Sequence, residues 1–148
     1  MTIHATCVVI GEAGVLIRGP SGGGKSRLAQ ELLAAAEAVG RFARLVSDDR
    51  TALAARHGRL VARSVAAIAG QIEVRGVGIV ATPFESAAVV RLVVDCGETP
   101  GARHPEESEG ATEIEGVRLP RLVHSGESGF APVVLWRLRD LCDTWPTV

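Results

Sequence analysis

A glycine-rich loop near the beginning of the chain constrains the fold more than any other feature. It reads GPSGGGKS, from Gly19 to Ser26, in a chain of 148 residues. Four glycines and a terminal Lys-Ser pair are typical of a loop whose main-chain N–H groups surround the phosphates of a nucleotide. Such a loop works between a strand and the N-terminus of a helix, so the surrounding chain should form an α/β unit.

The segments on either side of the loop fit that requirement. β-branched residues are dense from Ile3 to Ile10, and a turn at Gly11 to Gly14 leads into a second short strand, Val15 to Arg18. After the loop, apolar residues recur at helical spacing as far as Gly40, which can end the helix with a positive φ. The sequence therefore predicts strand, loop and helix in succession.

The remaining chain is predicted to be mostly strands. No internal repeat or second domain is evident, so a single P-loop domain over 1–148 is expected, of α/β class with a mixed β core flanked by helices. In order, the predicted segments are a strand ending at Asp48-Asp49, a hairpin over 51–64, a strand-like run over 70–80, a strand over 87–96, a mobile loop rich in Gly, Pro and acidic residues, a hairpin around Gly116 and a helix with Pro132 in its first turn.

Composition narrows the class of function. Sixteen basic residues against 17 acidic ones give a formal net charge of -1, which does not favour nucleic acid as a partner. No apolar run is long enough to span a bilayer and no secretory leader is recognisable, so a cytoplasmic protein without a membrane partner is expected. The three cysteines, Cys7, Cys96 and Cys142, are widely spaced, and this spacing favours reduced packing thiols.

The loop and the acidic pair carry the clearest chemical signal. Lys25 would bring a positive charge to the phosphates and Ser26 a hard oxygen ligand to Mg²⁺, so a nucleotide and magnesium are the expected ligands. Asp48 and Asp49 follow a buried strand, where ligands of open α/β sheets bind. From the residues alone this pair could serve as metal ligand, as general base, or as a solvated strand end.

Other polar residues remain ambiguous when taken alone. Glu73 and Arg75 alternate on a strand-like run and could simply be an exposed, salt-bridging edge. His4 on a β-rich segment is more often a packed or surface imidazole than a catalytic one. Arg103 lies in the predicted mobile loop and is most simply a solvent-exposed charge.

Three motifs in this order resemble the C-terminal catalytic domain of the HPr kinase/phosphorylase family. They are GPSGGGKS, the strand end LVSDD, and IEVRGVGI, which looks like that family's signature segment; the resemblance extends from IHATCV to IEGVRLPRL. It implies an ATP-dependent kinase that phosphorylates a serine of the phosphocarrier protein HPr. It further implies the family's fold, related to the nucleotide site of phosphoenolpyruvate carboxykinase, and a homohexamer.

The resemblance also implies a role for individual residues. His4 becomes the active-site histidine, Lys25 the phosphate-binding lysine, Asp49 the base that accepts the serine proton with support from Asp48, and Arg103 the counterpart of a catalytic arginine. Ser26 and Glu73 become ligands of Mg²⁺. The ATP phosphates are assigned to the whole loop: Gly19, Pro20, Ser21, Gly22, Gly23, Gly24, Lys25 and Ser26.

The chain also departs from the family pattern. The N-terminal domain of longer relatives is not represented, as in short forms similar to those of alphaproteobacteria. HSGESG, His124 to Gly129, stands where the family has an arginine-containing segment tied to removal of phosphate from HPr. Since arginines are strong ligands of phosphate, their loss predicts a kinase with doubtful phosphorylase activity. The alternatives are a P-loop kinase of a small-molecule hydroxyl and a non-catalytic module that senses ATP.

Overall fold

The computed structural model of the chain describes residues 1–97, 110–124 and 129–142. The predicted mobile loop with Arg103 and most of the HSGESG segment lie outside these residues. Within the described ranges there are ten strands: β1 (Thr2–Ile10), β2 (Ala13–Arg18), β3 (Ala43–Ser47), β4 (Arg50–Arg56), β5 (Arg59–Ser64), β6 (Gln71–Val74), β7 (Gly78–Ala81), β8 (Ala87–Cys96), β9 (Ala111–Ile114) and β10 (Val117–His124). The helices are α1 (Lys25–Ala38), α2 (Ala131–Leu141) and a 3-10 turn, Ala66–Ile68.

The main sheet closes on itself through five of its strands. Its strand order is β2-β1-β4-β5-β8-β10-β9, and β2 also pairs with β8, so β1, β4, β5, β8 and β2 form a ring. β2 runs parallel to β8 and so does β10, while the other pairs in the sheet are antiparallel. The parallel pairs bring the carboxyl ends of β2, β8 and β10 to one edge.

Alternating apolar residues of the same strands build two separate cores. Along β1, Cys7 and Val9 belong to a core enclosed by the ring, whereas Val8 and Ile10 belong to a core on the opposite face. This is the expected result of a period-2 side-chain pattern in a strand that is covered on both faces. The predicted mixed α/β class is confirmed, with a sheet as its centre.

Both helices pack on one face of the sheet. α1 contributes Leu28 and Leu32 and α2 contributes Val134 and Leu138 to the outer core, and among the described residues neither of these helices contributes to the core inside the ring. The expectation of a β core flanked by helices therefore holds for one face, since strands enclose the other core. Pro132 stands in the first turn of α2, where its missing N–H costs nothing.

The predicted hairpins end in turns with left-handed backbone. His57 (φ 52°) and Gly58 (φ 76°) join β4 to β5, and Glu115 (φ 50°) and Gly116 (φ 77°) join β9 to β10. Two successive residues with positive φ match the right-handed twist of the strands they connect. The hairpins predicted from the sequence over 51–64 and around Gly116 are both confirmed.

The strand-like run predicted over 70–80 is interrupted by a turn. It is a separate two-stranded hairpin, β6 paired with β7, in which Arg75 belongs to the turn and Glu73 to β6. The chain reverses because Gly76 (φ 85°) and Gly78 (φ 104°) adopt conformations that other residues rarely reach. Glu73 and Arg75 consequently do not form one alternating edge.

No helix in the described part of the chain is both long and apolar enough to cross a membrane.

Candidate active site

The glycine-rich loop connects the end of β2 to the start of α1. Several of its glycines occupy positions that a residue with a Cβ atom would fit poorly. A Cβ on Gly19 would lie 2.4 Å from the carbonyl oxygen of Cys96, so the loop begins in contact with β8. Gly22 (φ 80°) and Gly24 (φ 94°) have left-handed backbone, and Gly24 immediately precedes the helix. The main-chain N–H of Gly23 donates to the carbonyl of Pro20 over 2.9 Å, which closes a tight turn.

Lys25 folds back onto this loop. Its side chain is 5% exposed, and Nζ donates to the carbonyl oxygens of Gly19 at 3.0 Å and Pro20 at 3.1 Å. Nζ also lies 3.9 Å from Oδ1 of Asp49. A buried ammonium needs such partners, because leaving it unpaired would be costly. The charge is therefore held between the loop and the acidic pair.

Asp48 connects the helix, the first strand and the β6–β7 hairpin. Its Oδ1 accepts hydrogen bonds from Ser26 Oγ at 2.7 Å and Thr6 Oγ1 at 2.9 Å. Its Oδ2 accepts one from the main-chain N–H of Glu73 at 3.0 Å. With 7% exposure, this carboxylate is buried and nearly saturated with donors.

Asp49 differs from its neighbour in having left-handed backbone and a half-exposed side chain. It has φ 65°, uncommon for a residue with a Cβ although aspartate tolerates it better than most. Its main-chain N–H donates to Thr6 Oγ1 at 3.0 Å, and its carbonyl accepts from Ala5 N–H at 3.0 Å. The side chain remains 54% exposed, and its Oδ1 lies 3.9 Å from His4 Nδ1. Rare backbone conformations of this kind cluster at functional sites.

The structure thus brings together six residues predicted from sequence: His4, Lys25, Ser26, Asp48, Asp49 and Glu73. Glu73 is held through its main chain, since its carbonyl accepts a hydrogen bond from Gln30 Nε2 at 3.1 Å while its side chain is exposed. Arg103 lies outside the described residues, so its predicted role stays a prediction. Sequence reasoning missed Thr6, a fully buried hydroxyl that bridges both aspartates. A polar residue among the apolar ones of β1 was the available signal.

Cys96 packs against the glycine-rich loop, and its thiol is unreactive. Burial raises the pKa of its thiol to about 12; the neighbouring Asp95 carboxylate adds to this rise and Lys25 opposes it. A thiol with such a pKa stays protonated near neutral pH and is a poor nucleophile. Cys96 therefore packs under the loop, in line with the prediction of reduced packing thiols, and all three cysteines are free.

The oxygen atoms beside the glycine-rich loop are of the kind that a hard cation binds. Ser26 Oγ and Asp48 Oδ1 are oxygen atoms 2.7 Å apart. Among the described residues no group of three or more His, Cys, Asp and Glu side chains forms a closed metal site. Mg²⁺ bound with phosphate substrates uses only one or two protein oxygens, so the observed pair fits that mode of binding.

The fold and site together define a class: a mixed α/β domain with a closed sheet, two helices on one face, and a glycine-rich loop facing an acidic strand end. A family model, the HPr Serine kinase C-terminal domain, matches residues 1–90. The chain belongs to that family, as the resemblance predicted.

Individual relatives agree with this membership. The HPr kinase/phosphorylase of Clostridium beijerinckii is 40% identical over 78 residues, which make up 53% of this chain and 24% of the relative. That of Streptococcus thermophilus strain LMD-9 is 33% identical over 138 residues, covering 82% of this chain and 41% of the relative. The chain therefore spans between a quarter and two fifths of the curated relatives it matches.

A solved structure has the same fold. The Hpr(Ser) kinase/phosphatase from Coxiella burnetii superposes with a TM-score of 0.73 at 23% identity, over 95% of this chain and 89% of that one. The similarity thus includes nearly the whole chain, beyond the residues matched by the family model.

Proposed function

We propose that this chain is an ATP-dependent protein kinase that phosphorylates a serine of the phosphocarrier protein HPr. One observation carries the proposal: the lysine of a glycine-rich loop, Lys25, lies 3.9 Å from a half-exposed carboxylate, Asp49. Phosphoryl transfer to a hydroxyl requires a cation at the phosphates and a proton acceptor at the nucleophile, close to one another. Family membership supplies the identity of the acceptor.

The loop from Gly19 to Ser26 is proposed as a P-loop that binds the ATP phosphates. Its main-chain N–H groups and the N-terminus of α1 favour negative charge. Lys25 Nζ, now bonded to the carbonyls of Gly19 and Pro20, would exchange these neutral acceptors for phosphate oxygens. Charge-assisted hydrogen bonds of that kind are the stronger ones, which favours the exchange.

Ser26 is the first proposed ligand of Mg²⁺. Asp48 is the better-placed carboxylate beside it, since it contacts the Ser26 hydroxyl directly. Glu73, the ligand implied by the resemblance, is fixed by its N–H to the other oxygen of Asp48 and stays a second candidate. When bound, Mg²⁺ neutralises phosphate charge and lowers the electrostatic cost of the transfer.

Asp49 is proposed as the base that accepts the serine proton. Its exposure leaves room for the hydroxyl of a protein substrate, and His4 and Lys25 both lie 3.9 Å from its Oδ1. The two neighbours hold the carboxylate at the loop. Arg103 is proposed to stabilise the transferred phosphoryl group, a role inherited from the resemblance.

Labelled ATP provides the direct test. The protein is incubated with γ-labelled ATP, Mg²⁺ and HPr from the same organism, with an HPr whose acceptor serine is alanine as control. Label on the serine of HPr is expected, and Asp49→Asn should reduce the rate by about 10²–10⁴-fold while nucleotide still binds. No serine labelling, or equal labelling by Asp49→Asn, would overturn the assignment.

Labelled ATP separates the alternatives when the protein is also incubated with a cell extract. A kinase of a small-molecule hydroxyl would label metabolites in a cell extract and leave HPr unlabelled. A sensor of ATP would bind nucleotide without turnover, and Asp49→Asn would leave its binding intact.

Two finer features are part of the proposal. Transfer toward HPr is expected to dominate, because HSGESG lacks the arginines that would hold a phosphoserine. Incubating phosphoserine-HPr with inorganic phosphate should therefore form little pyrophosphate and leave the serine phosphorylated. A homohexamer, expected from the resemblance, can be checked by the molar mass in light scattering.

A further inference from the structure

A buried ionic cluster joins three strands next to the glycine-rich loop. Asp95 Oδ1 accepts a hydrogen bond from Arg18 Nε at 2.7 Å and Oδ2 accepts one from Arg18 Nη2 at 2.8 Å. Oδ2 also accepts one from Arg121 Nε on the other side. Asp95 and Arg121 are 3% and 4% exposed. One carboxylate thus pairs with the buried guanidinium group of Arg121 and with the partly buried one of Arg18, whose side chain is 22% exposed.

Such a cluster is a poor way to gain stability alone. Removing charges from water carries a desolvation cost that their attraction only partly returns, and apolar residues of similar volume often serve equally well. The bidentate geometry of Arg18 and Asp95, however, fixes both distance and orientation. The informative property of the cluster is therefore where it lies.

It lies at the root of the glycine-rich loop. Arg18 is the last residue of β2 and Gly19 is the first of the loop, while Asp95 stands opposite Arg18 in the parallel β2–β8 pair. Arg121 belongs to β10, on the other side of β8. The cluster consequently links the end of β2, where the loop begins, to β8 and to β10.

The residues after Asp95 form the surface on which the loop rests. The carbonyl of Cys96 would be 2.4 Å from a Cβ on Gly19, and a Cβ on Gly97 would be 3.3 Å from Cα of Gly23. Gly97 N–H in turn donates to the carbonyl of His124 at 2.8 Å, at the end of β10. Any rotation of the β8 end relative to β2 would move the loop.

We propose that Asp95 is a positioning residue for nucleotide binding: by holding Arg18 and Arg121 it sets where the glycine-rich loop leaves the sheet. It does not touch the nucleotide. The inference rests on the proposed function for the identity of the ligand. The inference means that the affinity for ATP also depends on Asp95, which lies outside the loop and outside the acidic pair.

The test measures nucleotide affinity separately from folding. Asp95→Asn keeps the size of the side chain and removes its charge. Its Kd for a fluorescent ATP analogue, measured without HPr at a temperature where the variant is folded, should rise about tenfold, because small displacements of a binding group are costly. The KM for ATP should rise with it, whereas kcat at saturating ATP should change much less.

Two further variants make the result specific. Leu60→Ala, in the core inside the ring and away from the loop, should lower the melting temperature and leave the Kd unchanged. Arg18→Lys and Arg121→Lys keep the charges but lose the fork geometry, and each should give a Kd between those of the wild type and Asp95→Asn. These two variants decide the question if Asp95→Asn fails to fold.

The outcomes are distinct. A Kd within twofold of wild type for folded Asp95→Asn, or for both lysine variants, overturns the inference. An equal rise in Kd for Leu60→Ala also overturns it, since general destabilisation would then be the cause. Wild-type protein that binds no nucleotide overturns this inference together with the proposed function, whereas failure to label HPr with nucleotide binding intact overturns only the latter.

Discussion

Ser26 Oγ donates a hydrogen bond of 2.7 Å to Oδ1 of Asp48, and this contact joins the first turn of α1 to the end of β3. The carboxylate also receives Thr6 Oγ1 and the N–H of Glu73. One buried side chain therefore holds the glycine-rich loop, the first strand and the β6–β7 hairpin in a single arrangement.

Asp48→Asn should lower both stability and magnesium-dependent binding. An amide has one acceptor oxygen, so its NH₂ group would face the Ser26 and Thr6 hydroxyls or the Glu73 N–H. We expect a loss of about 1–3 kcal/mol in the free energy of unfolding, measured with urea. Nucleotide affinity should also depend less on Mg²⁺. Asp140→Asn, on the exposed surface of α2, is the matched control; equal effects in both variants would contradict the prediction.

Asp49→Gly should separate stability from activity. The backbone at position 49 has φ 65°, which glycine adopts without strain. We expect the free energy of unfolding to stay unchanged or to rise by up to about 1 kcal/mol, while labelling of HPr is lost. Chemical denaturation and the labelling assay test both parts. A marked loss of stability would show that the contacts of the Asp49 side chain outweigh the backbone strain.

Gly19→Ala should be more damaging than Gly116→Ala. Both glycines have positive φ, but only at Gly19 would the new Cβ meet a main-chain atom, at 2.4 Å. Gly116 has open space around it, so its substitution reports backbone strain alone. We expect an additional loss of about 1–3 kcal/mol for Gly19→Ala, together with weaker nucleotide binding. Thermal unfolding of the two variants compares them directly.

Acid should remove the stabilisation contributed by Asp95. Burial raises the pKa of this carboxyl, but the hydrogen bonds and charges of Arg18 and Arg121 outweigh it, so the pKa lies below its usual 3.8. The unfolded chain then binds a proton before the folded protein does, and stability falls as the pH drops from about 3.8 toward the lower folded pKa.

The corresponding measurement is urea unfolding of wild type and Asp95→Asn as a function of pH. The difference in unfolding free energy should be constant near neutral pH and shrink below about pH 3.8. If the difference in unfolding free energy grew as the pH was lowered, the prediction would be wrong.

Alkylation should distinguish the three cysteines. Burial raises the pKa of both Cys7 and Cys96 to about 12, and neither side chain is exposed. Because the thiolate is the reactive form, iodoacetamide at pH 8 should modify half-buried Cys142 first, as read by mass spectrometry of the native protein. The three should react alike in urea. Early modification of Cys96 would mean that the contact between the end of β8 and the glycine-rich loop opens readily.

Local features of the fold were predictable because they depend on neighbouring residues. Positive φ at His57-Gly58 and around Gly116 follows from the residue types there, and so do the hairpins. The loop between β2 and α1 was recognisable because its glycines and its Lys25-Ser26 pair are contiguous. The β6–β7 hairpin was missed because alternating apolar residues resembled one strand and hid the glycine turn.

The sequence by itself determined the strand periodicity and the glycine-rich loop, and its resemblance to a family predicted that His4, Lys25 and Asp49 belong to one site. Only the tertiary structure decided that Thr6 bridges the two aspartates, that Asp48 contacts Ser26, and that Asp95 holds Arg18 and Arg121 at the root of the loop. These contacts join residues that are 22 to 77 positions apart. Their geometry depends on the pairing and packing of segments that are distant in the chain, which no local pattern of residues encodes.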